Sequence, residues 1–224
     1  CIEDAAGEAI NCAYKLSLLN DSNNVNEFSI ELKKIIKSLK KVNTIFSKMP
    51  EKCDPYVYYH RVRPYIFGTK DNPDLKEGLI YENQYQNVPQ FFRGETGAQS
   101  SIIPFLDGAL GIYHTNDNLR PYLNEMRDYM PPKHRKMIEN VEEKSMAKEY
   151  IFKSKKLIHE YNQCLEEIRR FRAQHLEFAA SYIHKQSKAK TAFGTGGSTF
   201  RGTGGTPFMR YLKKHRDETN KQKI

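Results

Sequence analysis

No run of 18 apolar residues occurs in this chain, so no transmembrane helix is expected. No basic-then-apolar leader with a cleavage site is visible either. The chain opens on Cys1 rather than methionine and passes at once into helix-like sequence, which reads as a fragment or a processed chain, and a shortened N-terminus would conceal a leader. Cysteine is scarce and scattered: Cys1, Cys12, Cys53 and Cys164 form no C-x-x-C pair and have no nearby histidine at zinc spacing. That pattern suits a reducing compartment and argues against structural zinc. Alternating strand patterns are nearly absent, and no segment reads as a linker between domains. The expected fold class is therefore all-α, with residues 1–224 forming a single large domain.

What is present begins with charge. The 224 residues carry 36 Lys and Arg against 27 Asp and Glu, a formal charge of +9. Residues 185–224 hold ten of the basic residues and two of the acidic ones, a local charge of +8. The basic character is thus C-terminal. The nearly neutral remainder weakens any reading of the main body as a nucleic-acid binder.

Helical periodicity covers most of the chain. Residues 2–19 place Ile2, Ala5, Ala6, Ala9, Ile10 and Ala13 on one side, and Asp21–Asn24 reads as a turn. A second helix over about 25–48 carries Phe28, Leu32, Ile35, Ile36, Leu39 and Val42 on one stripe. Its other face, with Lys33, Lys34, Lys37, Lys40 and Lys41, reads as a solvated surface. Pro55 is suited to open a helix, and Pro64 to strain or end it. Residues 68–97 are rich in turn formers and read as a long loop. Helix returns over 98–113, interrupted by Pro104, then around 118–128, 131–143 and 146–186, the last as one helix or two. Residues 187–206 read as a flexible Gly/Thr-rich lid loop, in which Phe193–Phe200 is echoed by Arg201–Phe208. Thr206 caps a final helix with Pro207 at its first position.

Several constellations carry chemistry. His175 completes an apolar stripe with Ile168, Phe171 and Ala179, and Arg172 lies one turn earlier. This suits both an axial metal ligand beside a bound anion and a plain core histidine near a salt bridge. Asp107 shares a side with Ile103 and Leu110, so it needs a partner, and Arg172 is a natural one. The stretch Arg93–Ser101 fits an anion-binding helix entry as well as a simple loop and cap, although it lacks the lysine of a P-loop. Tyr58, Tyr59 and Arg63 fit a stacking platform for a planar ligand or nucleobase, or ordinary packing. The 202–205 Gly-Thr-Gly-Gly stretch fits a lid or a linker. His134 reads as a solvated residue at a helix start, and His60, His114, His159, His184 and His215 have no partners at ligand spacing.

Five blocks in order resemble the indoleamine 2,3-dioxygenase family: Asn72–Tyr81, Gly94–Ser101, Arg127–Arg135, Arg172–Leu176 and Gly202–Thr206. The resemblance implies a helical enzyme that binds haem b and uses dioxygen to open the indole C2–C3 bond of L-tryptophan. The product would be N-formylkynurenine, the first step of the kynurenine pathway. It implies that His175 is the haem-iron ligand, that Arg172 lies near a haem propionate and that Asp107 is its carboxylate partner. Arg63 matches the arginine on the substrate carboxylate, and Tyr58 the aromatic on the indole, often phenylalanine in the family. Thr96 and Gly97 line the distal side, and Thr203 belongs to the loop that closes over substrate. The resemblance also implies a cytoplasmic monomer acting on tryptophan or a related indoleamine, with no nucleic-acid or membrane partner. It covers the family's large domain and not the smaller N-terminal one, and the family's distal residue before the opening helix has no counterpart. A haem-binding or sensing relative with little catalysis is the alternative.

Overall fold

The computed structural model describes residues 1–19, 24–188, 202–204 and 208–224. In chain order the helices are α1 (Ile2–Leu18), α2 (Val25–Ser47), α3 (Met49–Lys52), α4 (Pro55–Val57), α5 (Arg63–Ile66), α6 (Ile102–Leu110), α7 (Arg120–Met126), α8 (Pro132–Lys144), α9 (Ala147–Ile151), α10 (Lys155–Ala179) and α11 (Phe208–Lys221). Among the described residues no strand forms, and the one β-bridge pairs Leu79 with Gln90. The all-α expectation holds. Asp21–Asn23 of the expected turn lie outside the described residues, as do the Thr206–Pro207 cap and most of the 187–206 loop.

The chain divides into two compact units. The first comprises Cys1–Lys48, Ala98–Gln174 and Lys213–Ile224, and the second Met49–Gly97 and His175–Leu212.

Helix α1 presents small side chains to its neighbours: Ala5, Ala6, Ala9, Cys12 and Ala13 are buried. That smooth face lets α2 approach closely with Leu32, Ile35, Leu39 and Val42. Ser38 exploits the approach. Its hydroxyl donates to Ala5 O at 2.7 Å and accepts from Ala9 N at 3.1 Å, bridging the two groups an unbroken helix would pair. Helix α10 contributes Leu157, Tyr161, Cys164, Leu165 and Ile168 to the same core. Its polar residues on that side are matched across the packing, Glu167 by Asn43 at 2.8 Å and Glu160 by Ser29 at 2.8 Å. Pro104 does not interrupt α6. It is the third residue of the helix, in the first turn, where a missing N–H costs nothing.

In the second unit Pro64 shapes the local chain. Proline cannot donate to the carbonyl four residues back, and the helix widens just before it. Tyr58–Val62 form a π-turn in which Arg63 N bonds Tyr58 O. The long loop expected over 68–97 is present, held by paired Leu79 and Gln90 hydrogen bonds of 3.1 and 2.8 Å.

Candidate functional site

The second unit builds an aromatic and cationic cluster. The π-turn places Tyr58, Tyr59 and Arg63 close together. Arg63 and Tyr59 are both fully buried, with the guanidinium 5.2 Å from the Tyr59 ring centroid and 4.8 Å from that of Phe67. A buried cation on two ring faces exchanges water for the rings' negative faces. Burial pulls the Arg63 pKa below its ordinary value and pushes those of Tyr58 and Tyr59 up. The half-buried Tyr58 meets Tyr182 edge-on at 5.8 Å, and the Tyr182 hydroxyl donates to Cys53 O at 2.5 Å. Phe178 and Tyr182, three and seven residues beyond His175, share its helical face and went unremarked in the sequence. Their spacing was the available signal.

Three backbone segments cross beside this cluster. A Cβ on Gly68 would lie 2.2 Å from Gly94 N, and one on Gly94 would lie 2.3 Å from Gly68 N and 2.5 Å from Thr203 O. Both glycines read as turn formers in the sequence, yet what they supply is space. Gly68 N donates to Thr203 O at 3.2 Å, and the Thr203 hydroxyl donates to Glu95 O. Arg93 donates to Gly204 O at 3.0 Å and pairs with Asp71 at 2.5 Å. Thr203 is therefore buried. Thr96 is half-buried and Gly97 exposed, and a Cβ on Gly97 would meet no described atom within 4 Å. The turn at Gly97–Gln99 leads to α6 without a side-chain cap, because Ser101 Oγ instead lies 2.9 Å from His134 Nδ1.

The first unit holds the expected Asp107–Arg172 pair. The guanidinium donates to Asp107 Oδ2 at 2.5 Å and to the Thr219 hydroxyl. Burial alone would raise the Asp107 pKa, but the Arg172 charge and His114 outweigh it and hold the carboxyl below the usual range. His114 Nε2 lies 3.4 Å from Asp107 Oδ2, and its Nδ1 lies 2.9 Å from Glu218 Oε2. The His215 ring stacks on His114 at 4.2 Å and 22°. Burial, with His114 and Arg172 beside it, pushes the His215 pKa down to about 4. The expectation that His114 and His215 lack partners is thus corrected. Glu218 follows His215 by three residues, a spacing visible in the sequence, but its meeting with His114 was not.

His175 lies near the end of α10, half-buried rather than fully buried as the stripe suggests. Burial lowers its pKa and so favours the neutral imidazole, the form in which histidine binds metals. Arg172 precedes it by one turn of the same helix. Of the sequence-derived residues, Tyr58, Arg63, Thr96, Gly97, Thr203 and His175 fall in the second unit, and Asp107 and Arg172 in the first. In chemical type, an imidazole can bind an iron ion, and an arginine whose direction is fixed by a carboxylate can hold an acidic group.

Comparison with known proteins shows the family. The chain matches the family described as indoleamine 2,3-dioxygenase across residues 1–222, and it belongs to that family. It is 34% identical to indoleamine 2,3-dioxygenase 1 of Rattus norvegicus, over 98% of this chain and 56% of the relative. It is 32% identical to indoleamine 2,3-dioxygenase 2 of Homo sapiens, over 84% of this chain and 48% of the relative. It is also 33% identical to a 6-hydroxytryptophan 2,3-dioxygenase of Fusarium equiseti, over 88% of this chain and 52% of the relative. The chain thus spans about half the length of the relatives it matches. No helix among the described residues is long and apolar enough to cross a membrane.

Proposed function

We propose that this chain is the haem-binding part of a dioxygenase that cleaves the indole C2–C3 bond of L-tryptophan or a related indoleamine, giving N-formylkynurenine from tryptophan. The observation that carries the reading is His175: an imidazole whose pKa burial lowers, near the end of a long helix, one turn in sequence after an arginine anchored by Asp107. The bound haem supplies dioxygen activation, and the protein supplies position and electrostatics. His175 would hold the iron, and Arg172 would face a propionate, its direction fixed by Asp107 and Thr219. Arg63 would bind the substrate carboxylate. Its guanidinium is already stripped of water by Tyr59 and Phe67, which strengthens its attraction for an anion. Tyr58 would pack on the indole, oriented by Tyr182. Thr96 and Gly97 would line the substrate side, where the open space at Gly97 admits a ligand close to the backbone. Thr203 would bring the Gly-Thr-Gly-Gly segment to the same side. No side chain of this set is required to act as a general base. The reading includes a single haem-binding domain, a monomeric state, a cytoplasmic location and no nucleic-acid or membrane partner.

The test is an absorption spectrum of the purified chain with haem, followed by tryptophan, reductant and air. His175→Ala is expected to abolish stable haem binding, and full haem retention with activity in that variant would refute the assignment. Arg63→Ala is expected to raise the Michaelis constant for tryptophan at least tenfold, about 1.4 kcal/mol or more, while haem stays bound. A Soret band without formylkynurenine formation would favour the haem-sensing alternative.

A further inference from the structure

We propose that His114, His215 and Glu218 form a binding site for a divalent first-row transition-metal ion, zinc above all, separate from the residues assigned to haem iron and substrate. Their three donor atoms lie within 4.8 Å of one another. The closest pair, His114 Nδ1 and Glu218 Oε2, is 2.9 Å apart. Two lone pairs at that distance need a cation between them, either a proton or a metal ion. Donors on one tetrahedral zinc, each at about 2.0–2.2 Å from the ion, stand roughly 3.3 Å apart. An expansion of a few tenths of an ångström therefore turns this hydrogen bond into two metal bonds. The near-parallel stacking of the two imidazoles at 4.2 Å brings a ring nitrogen of His215 to the third position after a small ring rotation.

The surroundings support a metal. His215 and Glu218 are three residues apart on α11, so one helical face presents both. Asp107 Oδ2 lies 3.4 Å from His114 Nε2. His114 Nε2 makes no hydrogen bond among the described residues, and a carboxylate at this distance is the group that would take its proton once Nδ1 bound a metal. Glu218 Oε1 is held by the Thr115 hydroxyl at 2.6 Å, with Lys214 Nζ 3.8 Å away, so Oε2 alone turns inward. Lys214 is itself paired with Asp117 at 2.5 Å, and Arg172 with Asp107. Around the histidines Asp107, Asp117 and Glu218 are balanced by Arg172, Lys214 and Arg120, whose guanidinium donates to His114 O at 2.9 Å, so a divalent ion meets no net positive charge. The His114 and Glu218 side chains are 7% and 16% exposed, so the site is largely enclosed, and a water would serve as the fourth ligand. Two histidines and one carboxylate suit zinc, cobalt or nickel over magnesium or calcium.

The experiment is calorimetric titration of the chelator-treated full chain with zinc chloride, with metal content measured after dialysis. This readout does not depend on haem or on catalysis. One zinc per chain with micromolar affinity is expected, and His215→Ala or Glu218→Gln should weaken binding about tenfold or more. His159→Ala, at an exposed histidine, should leave it unchanged. Saturating zinc should raise the Tm of the wild-type chain by several degrees and leave that of Glu218→Gln unmoved. Should His215→Ala fail to fold, the near-isosteric Glu218→Gln carries the test. Absence of stoichiometric zinc, or equal affinity in the wild type and the Glu218→Gln variant, overturns the proposal.

Discussion

Replacing Asp107 with asparagine removes the carboxylate that faces the Arg172 guanidinium at 2.5 Å and leaves a buried cation without its counter-charge. Arg172 is only 6% exposed, so water cannot readily take the carboxylate's place. Removing one partner of a buried pair costs about 3–5 kcal/mol. Thr219 still accepts a hydrogen bond from Arg172, and an asparagine carbonyl accepts another, so about 2–3 kcal/mol is expected here. In a chain of this size that lowers Tm by about 5–10 °C. Urea unfolding followed by circular dichroism measures it. The same pair sets a pH dependence. The Asp107 pKa is depressed on folding, so its contribution is present above the unfolded value near about 3.9 and is lost as pH falls through the folded one. The gap between wild type and Asp107→Asn should be full at neutral pH and should close below about pH 4. Equal stability at neutral pH, or a gap that acid does not narrow, would refute the reasoning.

Gly94→Ala forces apart the backbones at Gly68, Ile66 and Thr203, whose atoms would lie 2.3–2.5 Å from the new carbon. The expected loss is about 2–4 kcal/mol, with easier proteolysis near Thr203, and an unchanged denaturation midpoint would count against it. Tyr59→Phe removes a buried hydroxyl that makes no hydrogen bond among the described residues. It should be neutral or stabilising by up to about 1 kcal/mol, and a clear loss in urea titration would mean the hydroxyl has a partner after all.

The long helices were legible because one face of each is apolar and the period is unambiguous. Helices α1 and α2 begin and end within a residue or so of their expected limits. The Asp107–Arg172 pair was legible too, since each buried charge demanded the other. Pro104 was misread because a proline marks a break only beyond the first helical turn. Gly68 and Gly94 were noticed for the wrong property: their requirement comes from chain segments far away in sequence, which local turn chemistry does not encode. The His114–Glu218 contact joins residues 104 positions apart. Neither residue carries a local mark of the other, so only the fold brings them together. His175 stood out for its position on the stripe, while its partial exposure depends on where α10 ends.

The Thr203 hydroxyl has one proton, and that proton is given to the Glu95 carbonyl. Toward anything else it offers only lone pairs. It is therefore matched to a group that donates, such as the ammonium of an amino acid, and mismatched to a carboxylate. Arg63, with donors only, has the opposite preference. Under the proposed assignment of both to substrate, the two residues would distinguish the two ends of an α-amino acid by the direction in which each hydrogen bond runs.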